Sequence, residues 1–420
     1  MRILQVNKFY YPQGGADKYF LDLSQALVEA GHEVATFAMA GPKNLASPFS
    51  PYFVSHLDFH HLSFWDYFKI PGRIIYSLEA KRKFTALLKA WRPDIIHLHN
   101  IYHQISPSIL TVAKKFKIPV VMHVHDYKLI SPNYQLFTRG KIDESSKPNK
   151  YYRCLFNRCF ENSFLKSLLV TLEMYLHHEV LDIYRQNINY FITPSQFMKD
   201  KLIEYNWPPE KIKVIINPYP ANLAQEPPAI LDPNPETTYL LAFGRLSIEK
   251  GMATAISAAY QAQQVLKIAG RGPEEESLKK LNAKLSQAHG RNLVEFLGYQ
   301  EPRALTELIK SAQAILLPSI SYDNMPLSLL ESLRLGKVVI GAKTGGIPEL
   351  IDPGKTGFLF PVGDDQALAQ AINNLANYDL KAIGLAAYER VKDYSQVNNC
   401  QAVLDLYEAT LAKLKHPTAS

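Results

Sequence analysis

Two acidic residues, Asp323 and Glu331, stand eight positions apart in a segment whose pattern suits an anionic ligand. An apolar run at 314–317 and a break at Pro318 precede them, which predicts a strand, a loop and a helix start with Pro326 in the first turn. Backbone N–H groups at a helix start bind anions, and the N–H groups at this helix start are those of Met325, Leu327 and Ser328. An ordinary buried strand–helix unit with incidental acids is the alternative.

Two cations lie on one loop that follows another predicted strand, at 239–243. Arg245 offers a planar fork of donors and Lys250 a mobile point charge, and together they suit a diphosphate. Gly270 and Arg271 end the next predicted strand at the same edge of the sheet. We expect these side chains at a ligand-binding edge, and a solvated loop is the alternative.

Four histidines end two predicted strands of the first half, as the pairs His97/His99 and His123/His125. Histidines at i and i+2 can ligate zinc, but no third carboxylate or cysteine completes either pair in the sequence. Histidines also form hydrogen bonds with hydroxyl groups. We therefore expect no metal, and we place His125, next to Asp126, against a substrate.

Cysteine use and the N-terminus favour a cytoplasmic protein. The three cysteines, Cys154, Cys159 and Cys400, make no disulfide framework, and no second Cys/His pair completes a metal site. The chain enters a strand at Met1–Val6 with no apolar signal segment. We expect all three cysteines to be free thiols.

The net charge of +7 lies in the first half of the chain. Residues 1–210 contain 25 Lys and Arg against 18 Asp and Glu, whereas the second half is balanced. Residues 49–91 are rich in both aromatic and basic side chains, which suits helices resting on anionic lipid and ordinary core helices almost equally. The surplus predicts an anionic partner, either lipid or nucleic acid, and a solvated face is the alternative.

Alternating strands and helices predict an α/β fold with two parallel sheets. A glycine turn at Pro12–Gly15 and a helix to Ala30 follow the first strand, and further strands are predicted at 94–99, 119–125 and 190–193. Residues 131–159 form a predicted irregular insertion, and 163–186 one long helix. The proline-rich segment 217–237 is the predicted linker to a second set of strands. These strands are predicted at 239–243, 265–269, 293–296, 314–317 and 338–341.

These motifs, in this order, resemble a known family across nearly the whole chain. They are similar to those of the retaining GT-B glycosyltransferases of sequence family 4 (glycosyl transferases group 1), of the bacterial cell-surface polysaccharide type. The motifs are Gly14-Gly15, His125-Asp126, Phe243–Leu246 with Lys250-Gly251, the span Asp323 to Glu331, and Gly345–Glu349. The resemblance implies two Rossmann-like doubly wound domains with a cleft between them. The implied parts are an acceptor-binding domain at 1–216, the linker at 217–237, a nucleotide-sugar-binding domain at 238–395, and a helix at 396–420 that crosses back.

The resemblance also implies roles for individual residues. Arg245 and Lys250 would neutralise the donor diphosphate, Glu331 would accept the ribose hydroxyls, and His125 would contact the transferred sugar. Asp323 occupies a position where the family usually has Glu, and it is counted with Arg245, Lys250 and His125 as catalytic. The implied donor-binding residues are Gly14, Gly15, Arg245, Lys250, Gly270, Arg271, Tyr299, Asn324, Met325, Pro326, Leu327, Ser328 and Glu331. The implied acceptor-side residues are His99, Asn100, Asp126 and Tyr127.

The implied activity is metal-independent, retaining transfer of a hexose-type sugar from a nucleotide-diphosphate-sugar to a lipid-linked or polysaccharide acceptor in cell-envelope glycan synthesis. No cofactor is expected, and the base is left open between UDP, GDP and ADP. An inactive nucleotide-sugar-binding subunit is the alternative, because Asp323 departs from the usual Glu. Nucleic acid is not an expected partner, since no recognition motif accompanies the charge. The expected location is the cytoplasm, with peripheral contact at the inner membrane face.

Overall fold

The computed structural model describes residues 1–57, 72–229 and 239–415, and the chain divides into two compact units. The first unit comprises the described residues within 1–135, 144–216 and 396–420, and the second those within 136–143 and 217–395. Each unit contains a six-stranded parallel sheet with helices between successive strands. The predicted α/β class with two Rossmann-like domains is confirmed.

The sheet of the first unit has the strand order β2-β1-β3-β4-β7-β8. Its central strands consist of buried residues throughout, as burial of both faces in a parallel sheet requires. The short edge strand β8 was not predicted, because it spans only three residues and carries the exposed Lys213. The strands are β1 (Arg2–Val6), β2 (Glu33–Phe37), β3 (Ile95–Leu98), β4 (Val120–His123), β7 (Tyr190–Thr193) and β8 (Ile212–Val214).

The described part of the first unit contains eight α-helices with the bounds given below, and residues 72–76 are also helical. The helices are α1 (Gly15–Glu29), α2 (Leu78–Ala90), α3 (Ser108–Phe116), α4 (Tyr152–Asn157), α5 (Phe164–Tyr175), α6 (Ile183–Asn187), α7 (Gln196–Glu204) and the last helix of the chain, α14 (Gln396–Lys415). Helix α14 packs on this unit, where Cys400, Val403 and Tyr407 share a buried cluster with Ile3 and Leu23. Burial of each such apolar side chain contributes roughly 1.5–3 kcal/mol to folding.

The prediction of one continuous helix over 163–186 is wrong. Helix α5 ends at Tyr175, a π-helical turn follows at Leu176–Val180, and Asp182 then takes a left-handed conformation with φ of 41°. Aspartate tolerates this conformation better than most residues do. Because apolar residues continue across the break, their spacing carries no signal of it.

The predicted irregular insertion at 131–159 contains regular structure and a disulfide. Strands β5 (Phe137–Thr138) and β6 (Lys141–Ile142) form an antiparallel hairpin that belongs to the second unit, and α4 follows in the first. The prediction of free thiols is wrong for Cys154 and Cys159, which are disulfide-bonded with their Cα atoms 4.9 Å apart. Arg158 ends α4 in a left-handed conformation, and this turn brings Cys159 back to Cys154. Cys400 is a buried free cysteine.

The sheet of the second unit has the order β11-β10-β9-β12-β13-β14, and every recorded pairing in it is parallel. The five predicted strands are present, and the edge strand β14 was missed because it has only three residues. The strands are β9 (Leu240–Phe243), β10 (Leu266–Ala269), β11 (Val294–Gly298), β12 (Ala314–Leu317), β13 (Val339–Ala342) and β14 (Phe358–Phe360). The helices are α8 (Met252–Gln261), α9 (Glu275–His289), α10 (Pro302–Ser311), α11 (Leu327–Arg334), α12 (Asp365–Asn374) and α13 (Leu380–Val391).

The first part of the predicted linker is bound to the second unit. The guanidinium of Arg334 donates to the carbonyl oxygens of Glu226 (2.8 Å) and Ala224 (2.6 Å), and Ala229 N–H donates to Leu335 O (2.8 Å). Arg334 is buried, so these carbonyl oxygens satisfy a charge that would otherwise be costly to bury. Residues 230–237 of the predicted linker lie outside the described residues.

The middle of the predicted aromatic and basic segment, residues 58–71, also lies outside the described residues. Beyond it, Arg73 donates to Ser55 Oγ (2.9 Å) and Gln104 O (3.3 Å), and the ammonium group of Lys83 donates to Phe53 O. These two cations therefore hold the first unit together internally. In the described ranges, no helix combines the length and the apolarity needed to cross a membrane.

Candidate active site

An open pocket of about 480 Å³ lies at the carboxyl ends of β9 and β10 in the second unit. Its volume falls in the range of roughly 300–1,000 Å³ that is usual for small-molecule sites. The loops after both strands line it, as ligand sites in parallel sheets generally are. The lining residues are Phe243, Gly244, Arg245, Ala269, Gly270, Arg271, Tyr299, Gln300 and Leu305. Four of the residues singled out in the sequence, Arg245, Gly270, Arg271 and Tyr299, thus share one pocket.

The two loops of this pocket approach each other so closely that Gly270 has no room for a side chain. A Cβ atom on Gly270 would lie 1.9 Å from Gly244 O, and the φ angle of Gly270 is +145°. Backbone bonds fix the contact, since Gly244 N–H donates to Ala269 O (3.0 Å) and Leu246 N–H donates to Arg271 O (3.0 Å). The glycine therefore lets the loops that carry Arg245 and Arg271 lie side by side.

A second group of predicted residues meets at the loop after β12. Lys250 Nζ lies 2.7 and 2.9 Å from the two carboxylate oxygens of Asp323, and Ser319 Oγ donates to Asp323 Oδ2 (2.6 Å). Ile320 N–H donates to Glu249 O (2.9 Å), so the backbone joins the same two loops. Lys250 and Asp323 are both partly exposed. The pair holds a cation and a carboxylate in fixed positions within reach of solvent.

The glycines at 345–346 support Asp323 from the other side. Gly346 N–H donates to Asp323 O (2.7 Å), and a Cβ atom on Gly345, whose φ is +59°, would lie 2.0 Å from that same oxygen. Thr344 Oγ1 donates to Ser321 O (3.1 Å). The Gly-Gly motif thus holds the loop of Asp323 against the loop after β13, a role that follows from close backbone approach.

Helix α11 begins at Leu327, one residue later than predicted. Pro326 is the N-cap residue, with φ of −67° and ψ of 130°, so the prediction that it lies in the first turn is wrong by one position. Its carbonyl oxygen accepts from Leu329 N–H (3.0 Å). Leu327 and Ser328 occupy the first turn, and Glu331 lies on the next turn, half-buried. Met325 is buried, and Asn324 precedes it in the same loop.

In the first unit the four histidines form a stack of rings. Ring centroids are 4.4 Å apart for His97 and His99, 5.2 Å for His99 and His125, and 4.4 Å for His123 and His125. The Tyr19 ring packs against His123 at 4.4 Å. The planes of these neighbouring rings are close to parallel, with interplanar angles of 26°, 22° and 15°. Within the described ranges, no group of three or more His, Cys, Asp or Glu side chains could hold a metal ion.

Burial keeps three of these histidines, His97, His99 and His125, neutral. It lowers the pKa of His125 to about 3, and burial together with the nearby His125 lowers the pKa of His97 to about 3. Burial, followed by the three neighbouring rings, lowers the pKa of His99 well below its ordinary value. Burial raises the pKa of Asp126, although Lys128 N–H donates to its carboxylate (2.9 Å). At neutral pH the His125 ring therefore acts as a neutral hydrogen-bonding group.

The glycine turn of the first unit is attached to the same strand ends through Asn7 and Asp17. Asn7 Nδ2 donates to Asp17 Oδ1 (2.8 Å), and Asn7 Oδ1 accepts from Asn100 N–H (3.1 Å). Burial raises the pKa of Asp17, and bonds to Asn7 and to the backbone of Gly14 oppose that rise. Gly14 and the adjoining Gly15 are both exposed. The turn is thus held at the edge where Asn100 follows β3.

A buried ion cluster lies next to Asp126 and Tyr127. Glu173 Oε2 lies 2.8 Å from Lys128 Nζ and 3.2 Å from His103 Nε2. Burial alone would raise the pKa of Glu173, but Lys128 and His103 outweigh it and hold this pKa well below its usual range. This cluster was not predicted from the sequence, because Glu173 is one more charge on an apolar helix. Lys128 could have indicated the cluster, because it is a cation among apolar neighbours in the sequence and such a cation needs a buried partner.

Other residues at these sites were missed as well. Gln300 and Leu305 line the pocket, and Gln5, Asn7 and Tyr407 bond to histidines or to the strand ends. Gln5 could have been noticed because it interrupts the apolar strand β1, and Asn7 because it is a polar residue directly after that strand. Tyr407 gave no such signal, since only the tertiary fold brings it near β1.

Two Rossmann-like units, one with a cationic pocket at its strand ends and one with a histidine stack, define a two-domain α/β protein of the GT-B architecture. Residues 13–222 match the family described as Glycosyltransferase Family 4, and residues 225–392 match the family described as Glycosyl transferases group 1. The chain belongs to glycosyltransferase family 4, and it is a glycosyltransferase.

Individual relatives share sequence or fold with the chain. An uncharacterized 42.6 kDa protein of the cps region of Klebsiella pneumoniae is 28% identical over 369 residues, which is 83% of this chain and 87% of that protein. The amylovoran biosynthesis glycosyltransferase AmsK of Erwinia amylovora is 28% identical over 227 residues, which is 51% of this chain and 54% of AmsK. The crystal structure of Anabaena HepE in complex with UDP has a TM-score of 0.67 at 19% identity, covering 97% of this chain and 100% of HepE. That last likeness concerns the fold.

Proposed function

We propose that the chain is a retaining, metal-independent transferase that moves a hexose-type sugar from a nucleotide-diphosphate-sugar to a lipid-linked or polysaccharide acceptor in cell-envelope glycan synthesis. The relatives support this setting, because one is encoded in a cps region and another is named for amylovoran biosynthesis. The observation that carries the proposal is the pocket of the second unit, in which Arg245 and Arg271 flank glycines at the ends of two strands.

The composition of this pocket fits a nucleotide. Arg245 and Arg271 are exposed cations that can form paired hydrogen bonds with phosphate oxygens. Tyr299, also exposed, offers a ring on which a base or ribose can stack. The first turn of α11 adds a helix N-terminus, and Glu331 one turn later offers a carboxylate to ribose hydroxyls. HepE has been crystallised with UDP, which makes a UDP-sugar the first donor to test.

The proposed reaction is a substitution at the anomeric carbon. The bond from that carbon to the diphosphate oxygen breaks, the bond to the acceptor oxygen forms, and the acceptor proton passes to the leaving diphosphate. Arg245, Lys250 and the start of α11 stabilise the charge that develops on the diphosphate, an effect worth several kcal/mol in such sites. These protein cations take the place of a metal ion in the proposal. His125 would orient the transferred sugar through a hydrogen bond.

Contact with an anionic lipid surface is the second part of the proposal, and α5 supports it. The buried face of the helix consists of Ser167, Val170, Thr171, Glu173 and Met174, whereas Leu165 and Leu172 lie on its exposed face. Leu165 is 75% and Leu172 is 53% exposed. Soluble helices ordinarily keep large apolar side chains away from solvent, and an exposed apolar stripe such as Leu165 and Leu172 marks an interaction surface.

Exposed cations outnumber exposed acids in the sequence around this stripe, which favours an anionic lipid surface as its partner. The exposed charged residues between positions 150 and 180 are Lys150, Arg153, Arg158 and Lys166, together with Glu161 and Glu179. The local surplus is therefore positive, although Lys166 is paired with Glu161. Apolar side chains that enter the lipid and cations that meet its headgroups are the two usual terms of peripheral binding. Such contact would bring a lipid-linked acceptor to the enzyme.

An assay of transfer tests the reaction. The protein is incubated with UDP-, GDP- and ADP-sugars and a lipid-linked acceptor panel, with and without EDTA, and the anomeric configuration of the product is read by NMR. We expect a product that keeps the donor configuration and forms equally well in EDTA, and we expect Arg245→Ala to reduce its formation. Inversion, or a requirement for a divalent cation, would contradict the corresponding part of the proposal.

A further inference from the structure

A continuous chain of side-chain hydrogen bonds joins helix α14 to His125. Tyr407 Oη lies 2.6 Å from His97 Nδ1 and 3.3 Å from Gln5 Nε2. Gln5 Oε1 lies 2.8 Å from His99 Nε2, and His99 Nδ1 lies 2.9 Å from His125 Nε2. Tyr407, Gln5, His97 and His99 are buried. In each bond of such a chain a donor faces an acceptor, so the proton positions along it depend on one another.

The distance between Tyr407 Oη and His97 Nδ1 indicates which group donates in each of these hydrogen bonds. Oxygen donors form shorter hydrogen bonds than nitrogen donors do, and 2.6 Å from Tyr407 Oη to His97 Nδ1 fits an O–H donor. Tyr407 therefore donates to His97 and accepts from the amide nitrogen of Gln5. That arrangement leaves the carbonyl oxygen of Gln5 facing His99.

The orientation of Gln5 then fixes two imidazole rings. A neutral imidazole has one donor nitrogen and one acceptor nitrogen. His99 donates through Nε2 to Gln5, so its Nδ1 accepts, and the proton in that bond belongs to His125 Nε2. The lowered pKa of each ring supports the neutral forms on which this assignment depends.

We propose that Gln5 and Tyr407 are positioning residues that hold His125 in the Nε2–H tautomer. Any effect on sugar transfer rests on the proposed function, whereas the tautomer is a property of the folded protein alone. Turning the Gln5 amide over would reverse every bond in the chain and move the His125 proton to Nδ1. The short Tyr407–His97 bond opposes this reversal, because the tyrosine hydroxyl would then have to accept from His97 instead of donating to it.

Nitrogen NMR of the full chain tests the tautomer directly. Protein labelled with 15N-histidine gives a long-range ¹H–¹⁵N spectrum that separates protonated from unprotonated ring nitrogens, and variants His99→Asn and His125→Asn assign the signals. We expect His97, His99 and His125 all to be Nε2–H in the unmodified protein. Tyr407→Phe should shift His125 to a mixture of tautomers or to Nδ1–H, whereas Tyr184→Phe, at another buried tyrosine of the first unit, should leave it unchanged.

Kinetics of the same variants test the consequence. Loss of one ordered hydrogen bond predicts a kcat roughly five- to tenfold lower in Tyr407→Phe, with the donor KM unchanged. Nucleotide affinity should also be unchanged, because the donor pocket lies in the second unit. If Tyr407→Phe unfolds, Gln5→Met provides the same test. Methionine is about as long as glutamine, but it forms neither of the two hydrogen bonds of the Gln5 amide.

The outcomes separate this proposal from the proposed function. A His125 ring that is Nδ1–H in the unmodified protein, or one whose tautomer is the same in Tyr407→Phe and Gln5→Met, overturns the proposal. If the tautomers behave as expected but no sugar transfer occurs with the unmodified protein, the proposed function fails and the positioning of His125 stands.

Discussion

Lys250 and Asp323 form an ion pair in which the ammonium nitrogen lies 2.7 and 2.9 Å from the two carboxylate oxygens. The residues are 73 positions apart, and the pair joins the loops that follow β9 and β12. In the proposed reaction this pair would set how much positive charge Lys250 can offer to a diphosphate. Asp323 in place of the usual Glu brings the carboxylate one methylene closer to its own backbone, and the lysine and Ser319 meet it there.

The first prediction concerns this ion pair. Asp323→Asn keeps the shape of the side chain but removes its charge, so Lys250 loses its counter-ion and the hydrogen-bonding pattern at Ser319 changes. We expect transfer to fall by roughly 10²-fold, the size usual for loss of one charged group from such a site. Steady-state assays of the variant against Ser319→Ala, which removes one bond to the carboxylate, measure the effect.

The control should lose less than tenfold. Full activity of Asp323→Asn would refute a catalytic role for the carboxylate. If the unmodified protein binds a donor but transfers to no member of an acceptor panel, the alternative of an inactive nucleotide-sugar-binding subunit is favoured.

The second prediction concerns the contact between the two pocket loops. Gly270→Ala places a Cβ atom 1.9 Å from Gly244 O and must push the loops apart. We expect the free energy of unfolding to fall by about 2 kcal/mol or more, from left-handed strain and overpacking together, and nucleotide binding to weaken with it. Urea unfolding and calorimetry give the two quantities.

Gly290→Ala is the matched control, because Gly290 also has a positive φ but no atom lies within 4 Å of its Cβ position. Its free energy of unfolding should fall by about 1 kcal/mol, from backbone strain alone, and it should bind nucleotide normally. Equal effects of the two substitutions would show that the close approach at Gly270 has no importance for the pocket.

Sequence patterns predicted the two sheets because buried parallel strands are nearly continuous apolar runs, as in Ala314–Leu317. They failed where a feature depends on tertiary contacts. The three-residue strand Phe358–Phe360 is too short to show a pattern, and the left-handed turn at Arg158 that brings Cys159 to Cys154 has no compositional signal.

The candidate sites also differ in how far the sequence could predict them. Arg245, Gly270, Arg271 and Tyr299 follow strands of one sheet, so their meeting in one pocket was predictable from topology. The chain from Tyr407 to His125 was not, because Gln5 and Tyr407 are 402 positions apart in the sequence. Residue roles at both sites remain predictions.

The third prediction concerns the exposed apolar stripe of α5. The double substitution Leu165→Ser and Leu172→Ser removes two apolar side chains from the proposed lipid contact and should weaken binding to vesicles at least tenfold, since each buried leucine is worth roughly 1.5–3 kcal/mol. Co-sedimentation with vesicles that contain phosphatidylglycerol measures it. Val397→Ser, at a residue that is 76% exposed on α14, is the control. Binding that survives the double substitution, or that is equal on neutral vesicles, would contradict the proposal.

The fourth prediction concerns pH and the buried histidines. The folded pKa of His97, about 3, lies below the ordinary value of 6.5, so the unfolded chain binds more protons between these values. The histidine's contribution to stability is complete above pH 6.5 and is lost as the pH falls toward 3, by about 1.4 kcal/mol per pH unit. The raised pKa values of Asp17 and Asp126 act in the opposite sense, so variants must be compared.

Urea unfolding between pH 6 and pH 4 makes this comparison. His97→Gln should flatten the pH dependence by about one histidine's contribution, while His289→Gln, at an exposed position of the second unit, should leave it unchanged. An equal slope in His97→Gln and the unmodified protein would mean that His97 is protonated in the folded state.

The central claim is that the pocket of the second unit binds a nucleotide-diphosphate-sugar, and calorimetric titration tests it most directly. UDP, GDP and ADP are each titrated into the full chain. The nucleotide-sugars of the base that binds are titrated next, and both titrations are repeated with the site variants Arg245→Ala and Glu331→Ala. We predict clear binding of one nucleotide and its loss in both variants, since the first removes a phosphate partner and the second a ribose partner. If no nucleotide binds to the folded protein, or if both variants bind as well as the unmodified chain, the assignment of the donor to this pocket is wrong.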